Sequence, residues 1–160
     1  MLNIVQLNTQ QAEWRYQFAR AWHNTINQTG TGRPIDALIC PCAPSASFPH
    51  GFPVWWGYFS LWNLLDYPSV VLPLKKMQVD LDKDAKNTSY VPRENIFDKM
   101  NWEICELSLL TRHRLFTDTF LVDDPERWKN QPLTLQIVRP QYSDEELIAV
   151  TECIDQVCNG

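Results

Sequence analysis

Few residues in this sequence have both the type and the spacing to do chemistry. Cysteine is the first candidate, at Cys40, Cys42, Cys105, Cys153 and Cys158. The odd count and irregular intervals do not form a disulfide framework, so five free thiols are expected. Cys40-Pro41-Cys42 is too tight for the usual zinc-ligand pairs, and His23, His50 and His113 are scattered, so no metal or other cofactor is expected. Asp80, Asp82 and Asp84 alternate like the start of a calcium loop, but the required glycine and closing glutamate are missing. His50 is the histidine best placed for a ligand, between Pro49 and Gly51 on a proline-rich loop. No carboxylate or nucleophile accompanies it in sequence, so general acid–base work is not indicated.

The loop around His50 follows a short apolar run, Ala37-Leu38-Ile39-Cys40, entered through Arg33-Pro34 and closed by Pro41. That run reads as a buried strand, covered on both faces. Pro41, Pro44 and Pro49 forbid a helix or central strand in the loop itself. Upstream, a helix is expected over 8–28, with Asn8 and Gln11 imitating a capping pair. Trp14, Phe18, Trp22 and Ile26 recur four apart on its inner face. Downstream, 58–65 reads as a short helix, and Ser69-Val70-Val71-Leu72 as a second buried strand stopped by Pro73. Residues 75–93 read as a charged, solvated loop. Leu133 to Val138 form a third strand whose alternation suggests one more polar face. Ser143-Asp144-Glu145-Glu146 reads as a capping box opening a last helix, with Leu147, Val150, Ile154 and Val157 on its apolar face.

Bulk properties narrow the class. Apolar residues make up 44% and charged residues 21%, which suits a globular α/β chain of one domain's length. Net charge is −5, and no basic stripe exists to neutralise phosphates, so nucleic-acid binding is not expected. No apolar run approaches the roughly 20 residues that span a bilayer, and the N-terminus lacks a secretory pattern. A soluble cytoplasmic protein is therefore expected. Seven Trp, five Tyr and seven Phe require a core or an interface to bury them.

Three runs add more. They are Thr29-Gly30-Thr31-Gly32-Arg33-Pro34-Ile35-Asp36-Ala37-Leu38-Ile39-Cys40-Pro41, then Trp62-Asn63-Leu64-Leu65-Asp66-Tyr67-Pro68-Ser69-Val70-Val71-Leu72-Pro73, and then Asp124-Pro125-Glu126-Arg127-Trp128-Lys129-Asn130-Gln131-Pro132-Leu133-Thr134-Leu135-Gln136-Ile137-Val138. In this order they resemble the C-terminal part of amidase-signature enzymes of the fungal acetamidase-like type. The resemblance implies one partial domain over 1–160, part of a mixed sheet flanked by helices. It also implies a parent reaction, amide C–N hydrolysis by a Ser–cis-Ser–Lys triad. There one serine attacks, a neutral lysine acts through the bridging serine, and backbone amides hold the oxyanion.

In the family the lysine and the Gly/Ser-rich segment lie upstream of everything that matches here, so the resemblance carries over no catalytic residue. It does carry over a pocket wall for a small amide substrate, with Phe48, His50, Trp55 and Trp56 as candidate lining. Two departures stand out: Arg139 replaces the glycine usual after the third strand, and residues 105–122 read as an insertion, either a retained in-frame intron or a genuine loop. Strands of the family's sheet that lie upstream would leave this part with an exposed apolar patch and a dependence on the N-terminal part. A chain inactive alone is the leading reading. A non-catalytic module binding a small molecule or a protein is the alternative.

Overall fold

The computed structural model describes residues 3–43, 56–80, 91, 93–96, 98–99 and 129–160. The main elements among the described residues are the helices α1 (Ile4–Asn24), α2 (Gly57–Leu65) and α3 (Asp144–Asn159) and the strands β1 (Leu38–Pro41), β2 (Ser69–Gln78) and β3 (Pro132–Val138). The α/β class is as the sequence indicates. The strands form one sheet in the order β1-β3-β2. β1 pairs antiparallel with β3, from Leu38 opposite Val138 to Pro41 opposite Leu135. β2 is antiparallel to β3 as well, because Arg139 N–H donates to the Pro68 carbonyl while Val79 N–H donates to that of Gln131. Every pairing among the described strands is therefore antiparallel.

The residues cluster into two compact units, one of Met1–Cys42, Gly57–Leu72 and Leu135–Gly160, the other of Ala43–Trp56 and Pro73–Thr134. In the second unit, Val79 exchanges bonds with Asn130 and Gln131 at 3.1 and 3.0 Å, and Asn130 takes a left-handed φ of 63°. Leu74 is its buried strand residue.

The first unit holds two apolar clusters, and β3 supplies one residue to each. Val138 packs with Trp22 of α1, Trp62 and Leu65 of α2, and Tyr67. Ile137 packs with Leu72 of β2 and Leu147 of α3. Neighbouring strand residues point to opposite faces, so α1 and α2 cover one face of the sheet here and α3 the other. This corrects two strand expectations together. β3, the middle strand, is buried on both faces at its C-terminal end, with Gln136, Ile137 and Val138 all inside. β1 lies at an edge and alternates, with Ile39 half-exposed.

Pro73 does not end β2, which continues through it to Gln78. Among the described strands β2 has one neighbour, β3, and so stands at an edge, the place where a proline is tolerated. β2 thus takes in 75–78 of the expected charged loop, and most of 75–93 together with 105–122 lies outside the described residues.

The helix termini also depart from expectation. Asn3 caps α1, accepting from Val5 N–H, while Gln6 reaches back to Asn3 N–H at 3.1 Å, so the box sits five residues before Asn8 and Gln11. Ser143 precedes α3 but makes no side-chain cap bond. Its hydroxyl donates to the Pro140 carbonyl at 2.5 Å and accepts from Arg139 Nε at 3.4 Å. Asp144, Glu145 and Glu146 still place negative charge in the first turn, where the helix dipole favours it. On α3, Leu147 is buried and Val150 and Ile154 pack beside it, but Val157 is exposed.

α2 ends on Asp66 in the left-handed region, φ 60°. Tyr67 N–H donates to the Trp62 carbonyl and Asp66 N–H to that of Asn63, which is the Schellman pattern. The Tyr67 and Trp62 rings stack across it, centroids 6.4 Å apart. Gln11 Nε2 and Arg15 Nε satisfy the Leu64 carbonyl from α1 at 2.9 and 3.2 Å. Phe18 adds edge-on contacts to both rings, at 5.9 and 5.4 Å.

Arg139 ties several of these parts together. Its N–H bonds Pro68, one guanidinium nitrogen donates to the Asp36 carbonyl just before β1, and Nε reaches Ser143 before α3. A glycine here would keep the backbone bond and lose both side-chain bonds. Arg139→Gly is expected to cost about 1–3 kcal/mol, from two lost hydrogen bonds and added chain freedom. Equilibrium denaturation checks this, and a change below about 0.5 kcal/mol would show the clamp to be idle.

Candidate functional site

The three sequence runs converge on one polar cluster around a buried carboxamide. Gln136, from the third run, is 2% exposed in the middle strand. Its Oε1 accepts from Trp62 Nε1 at 3.2 Å and from the Cys40 thiol at 3.7 Å. Its Nε2 donates to Ser69 Oγ at 3.2 Å. Cys40 comes from the first run, Trp62 and Ser69 from the second. One side chain thereby joins β1, β2, β3 and α2. The local reason is strand alternation: Gln136 and Val138 face the same side, toward α1 and α2, where Trp62 is the neighbour with an N–H to place.

The cluster holds structure and activates nothing. Burial pushes the Cys40 thiol pKa up, the Trp62 hydrogen bond lowers it, and the charge of nearby Cys42 adds to the rise. With the rise dominant, Cys40 remains a thiol at neutral pH and is a poor nucleophile. Ser69 faces a carboxamide, which cannot take a proton as a general base must. Cys42, Cys153 and Cys158 are free thiols, as is Cys40. Among the described residues no group of three or more His, Cys, Asp or Glu side chains is placed to hold a metal. No described helix is long and apolar enough to cross a membrane.

Of the four candidate wall residues, Phe48, His50 and Trp55 lie outside the described residues. Trp56 is described, just before α2, and is 62% exposed. Sequence reasoning singled out this loop and passed over Gln136. The signal for Gln136 was present in its setting, a lone amide between Leu135 and Ile137 in a strand that proved central.

Comparison with known proteins then decides the family. Over 153 residues, 95% of its length, the chain is 42% identical to an amidase of Gibberella zeae. The chain belongs to the fungal amidase-like family. This amidase-like chain is also 28% identical over 147 residues to an acetamidase of Emericella nidulans, and 27% identical over 152 residues to an acetamidase of Aspergillus oryzae. It spans about a quarter of the length of these curated relatives, 25%, 23% and 24% respectively. No protein-family model matches it.

Proposed function

We propose that this chain is the C-terminal part of an amidase-signature C–N hydrolase, acting on linear amides in the whole enzyme and inactive by itself. The observation that carries the reading is the 42% identity to an amidase across 95% of the chain. The chemistry around Gln136 supports it, since the nucleophile-type side chains there are protonated or paired with an amide. In this reading the 160 residues supply scaffold, with Phe48, His50, Trp55 and Trp56 lining one wall of the amide pocket. The Ser–cis-Ser–Lys set comes from elsewhere in the enzyme, and no cofactor or metal takes part. The substrate is a small amide, and the reading assigns no role to nucleic acid or membrane. Free thiols suit a cytoplasmic setting.

The purified chain is expected to show no hydrolysis of acetamide or an aryl amide above background. Without an activated nucleophile the amide bond has no covalent route to cleavage. Turnover that a serine-directed inhibitor abolishes would overturn the claim that the chain is inactive alone.

A further inference from the structure

Phe18 and Trp22 are the residues through which α1 reaches the core. Followed backwards at helical spacing, their stripe continues through Trp14, Leu7 and Ile4. Those three side chains are 61%, 48% and 73% exposed. α1 has 21 residues and α2 has nine. At 1.5 Å per residue α1 is about 31 Å long and α2 about 14 Å, so α2 cannot cover the whole stripe. Gln11 and Arg15 mark where the C-terminal end of α2 meets α1, through the Leu64 carbonyl. The first two turns of α1 run past that point, and Leu64 itself is half-exposed at the border.

Charge says what kind of surface this is. From Asn3 to Ala12 there is no Lys, Arg, His, Asp or Glu. A helix meant for water carries charged residues on its outer face, whereas the centres of protein interfaces are depleted in charge and enriched in aromatics. Nucleic acid or anionic lipid would need basic residues here. An apolar polypeptide surface needs none.

The comparisons say which polypeptide. The chain matches 25% of the Gibberella zeae amidase, so about three quarters of that protein has no counterpart in these 160 residues. We infer that the stripe of Ile4, Leu7 and Trp14, bordered by Leu64, seats the remaining part of an amidase-type fold, in the same polypeptide or a separate one. The inference rests on the amidase reading and names the surface through which that reading is completed.

The test is co-expression of the 160-residue chain with the portion of the Gibberella zeae amidase that it does not match. A one-to-one complex is expected by size-exclusion chromatography with light scattering. Leu7→Glu combined with Trp14→Glu should weaken it about tenfold or more, since charges would be buried unpaired at the seat. Val157→Glu, at an exposed position on α3, should leave it unchanged. Melting of the chain alone should be the same for all forms, because the altered side chains face water there. Absence of a complex, or a complex indifferent to the double substitution, would overturn the inference. So would a homodimer that the double substitution disperses, which would make a second copy the occupant. The readout is mass, so its failure is separate from that of the amidase reading, which turnover by the chain alone would strike.

Discussion

Trp62→Ala is expected to destabilise the chain by about 3–5 kcal/mol, the usual range for removing a buried tryptophan. Three losses coincide at this position. The indole is 5% exposed and touches the Phe18 and Tyr67 rings, so its removal opens a cavity between α1, α2 and β3. It stacks on Tyr67 across the Schellman turn, so the end of α2 loses its apolar clasp. It also donates to Gln136 Oε1, leaving that buried acceptor with the weak Cys40 thiol alone. Trp62→Phe separates these contributions, keeping most of the packing while deleting the hydrogen bond, and should cost about 1–3 kcal/mol. Pairing each with Gln136→Leu in a double-mutant cycle isolates the bond. The coupling should exceed about 0.5 kcal/mol for Trp62→Ala, the level at which contacting residues cease to add. Strict additivity would show that Gln136 and Trp62 are neighbours without an energetic bond.

The second large effect is expected from Ile137→Ala, at about 2–5 kcal/mol. Ile137 is 0% exposed and lies between Leu72 of β2 and Leu147 of α3, where close packing leaves little room to collapse. The pattern of additivity is more informative than the magnitude. Leu147→Ala alters the same cluster, so the double variant with Ile137→Ala should depart from additivity. Val138→Ala adjoins Ile137 in the chain but opens the opposite cluster, with Trp22, Trp62 and Leu65. Those two substitutions should add to within about 0.5 kcal/mol, as for sites without shared partners. Chemical denaturation of the three single and two double variants measures this. Strong coupling of Ile137 to Val138 and none to Leu147 would contradict the two-faced packing of β3.

In the proposed reading both sets of variants bear on function indirectly, because this part of the chain supplies scaffold. The Gln136 cluster is where the family's three sequence runs meet. There Cys40, Trp62, Ser69 and Gln136 form one hydrogen-bond network around a buried carboxamide. Arg139 takes a position that the resemblance assigns to glycine, and it uses the added side chain to hold the lead-ins to β1 and α3. A residue that departs from a family pattern can thus join the scaffold when its donors find carbonyl and hydroxyl acceptors within reach.

Local sequence determined the identity of the elements. Each of the three helices and three strands expected has its counterpart among the described elements, since period acts within a turn or a strand, but the start of α1 and the end of β2 lie elsewhere than capping and proline signals indicate. α2 is the clearest case, expected over 58–65 and found from Gly57 to Leu65. Burial was decided by tertiary structure. Whether β1 or β3 is covered on both faces depends on sheet order, which no short window of residues encodes. The same holds for Pro73, acceptable within β2 because that strand has a single neighbour among the described strands. Trp14 and Val157 continue the periodic faces of α1 and α3, yet both are exposed, because periodicity says which way a side chain points and not how far its partner element extends. Sequence also named the amidase-like family through three separated runs. Only the folded chain brought those runs to one buried glutamine, because the hydrogen bonds that this glutamine makes to the other two runs span up to 96 positions along the backbone.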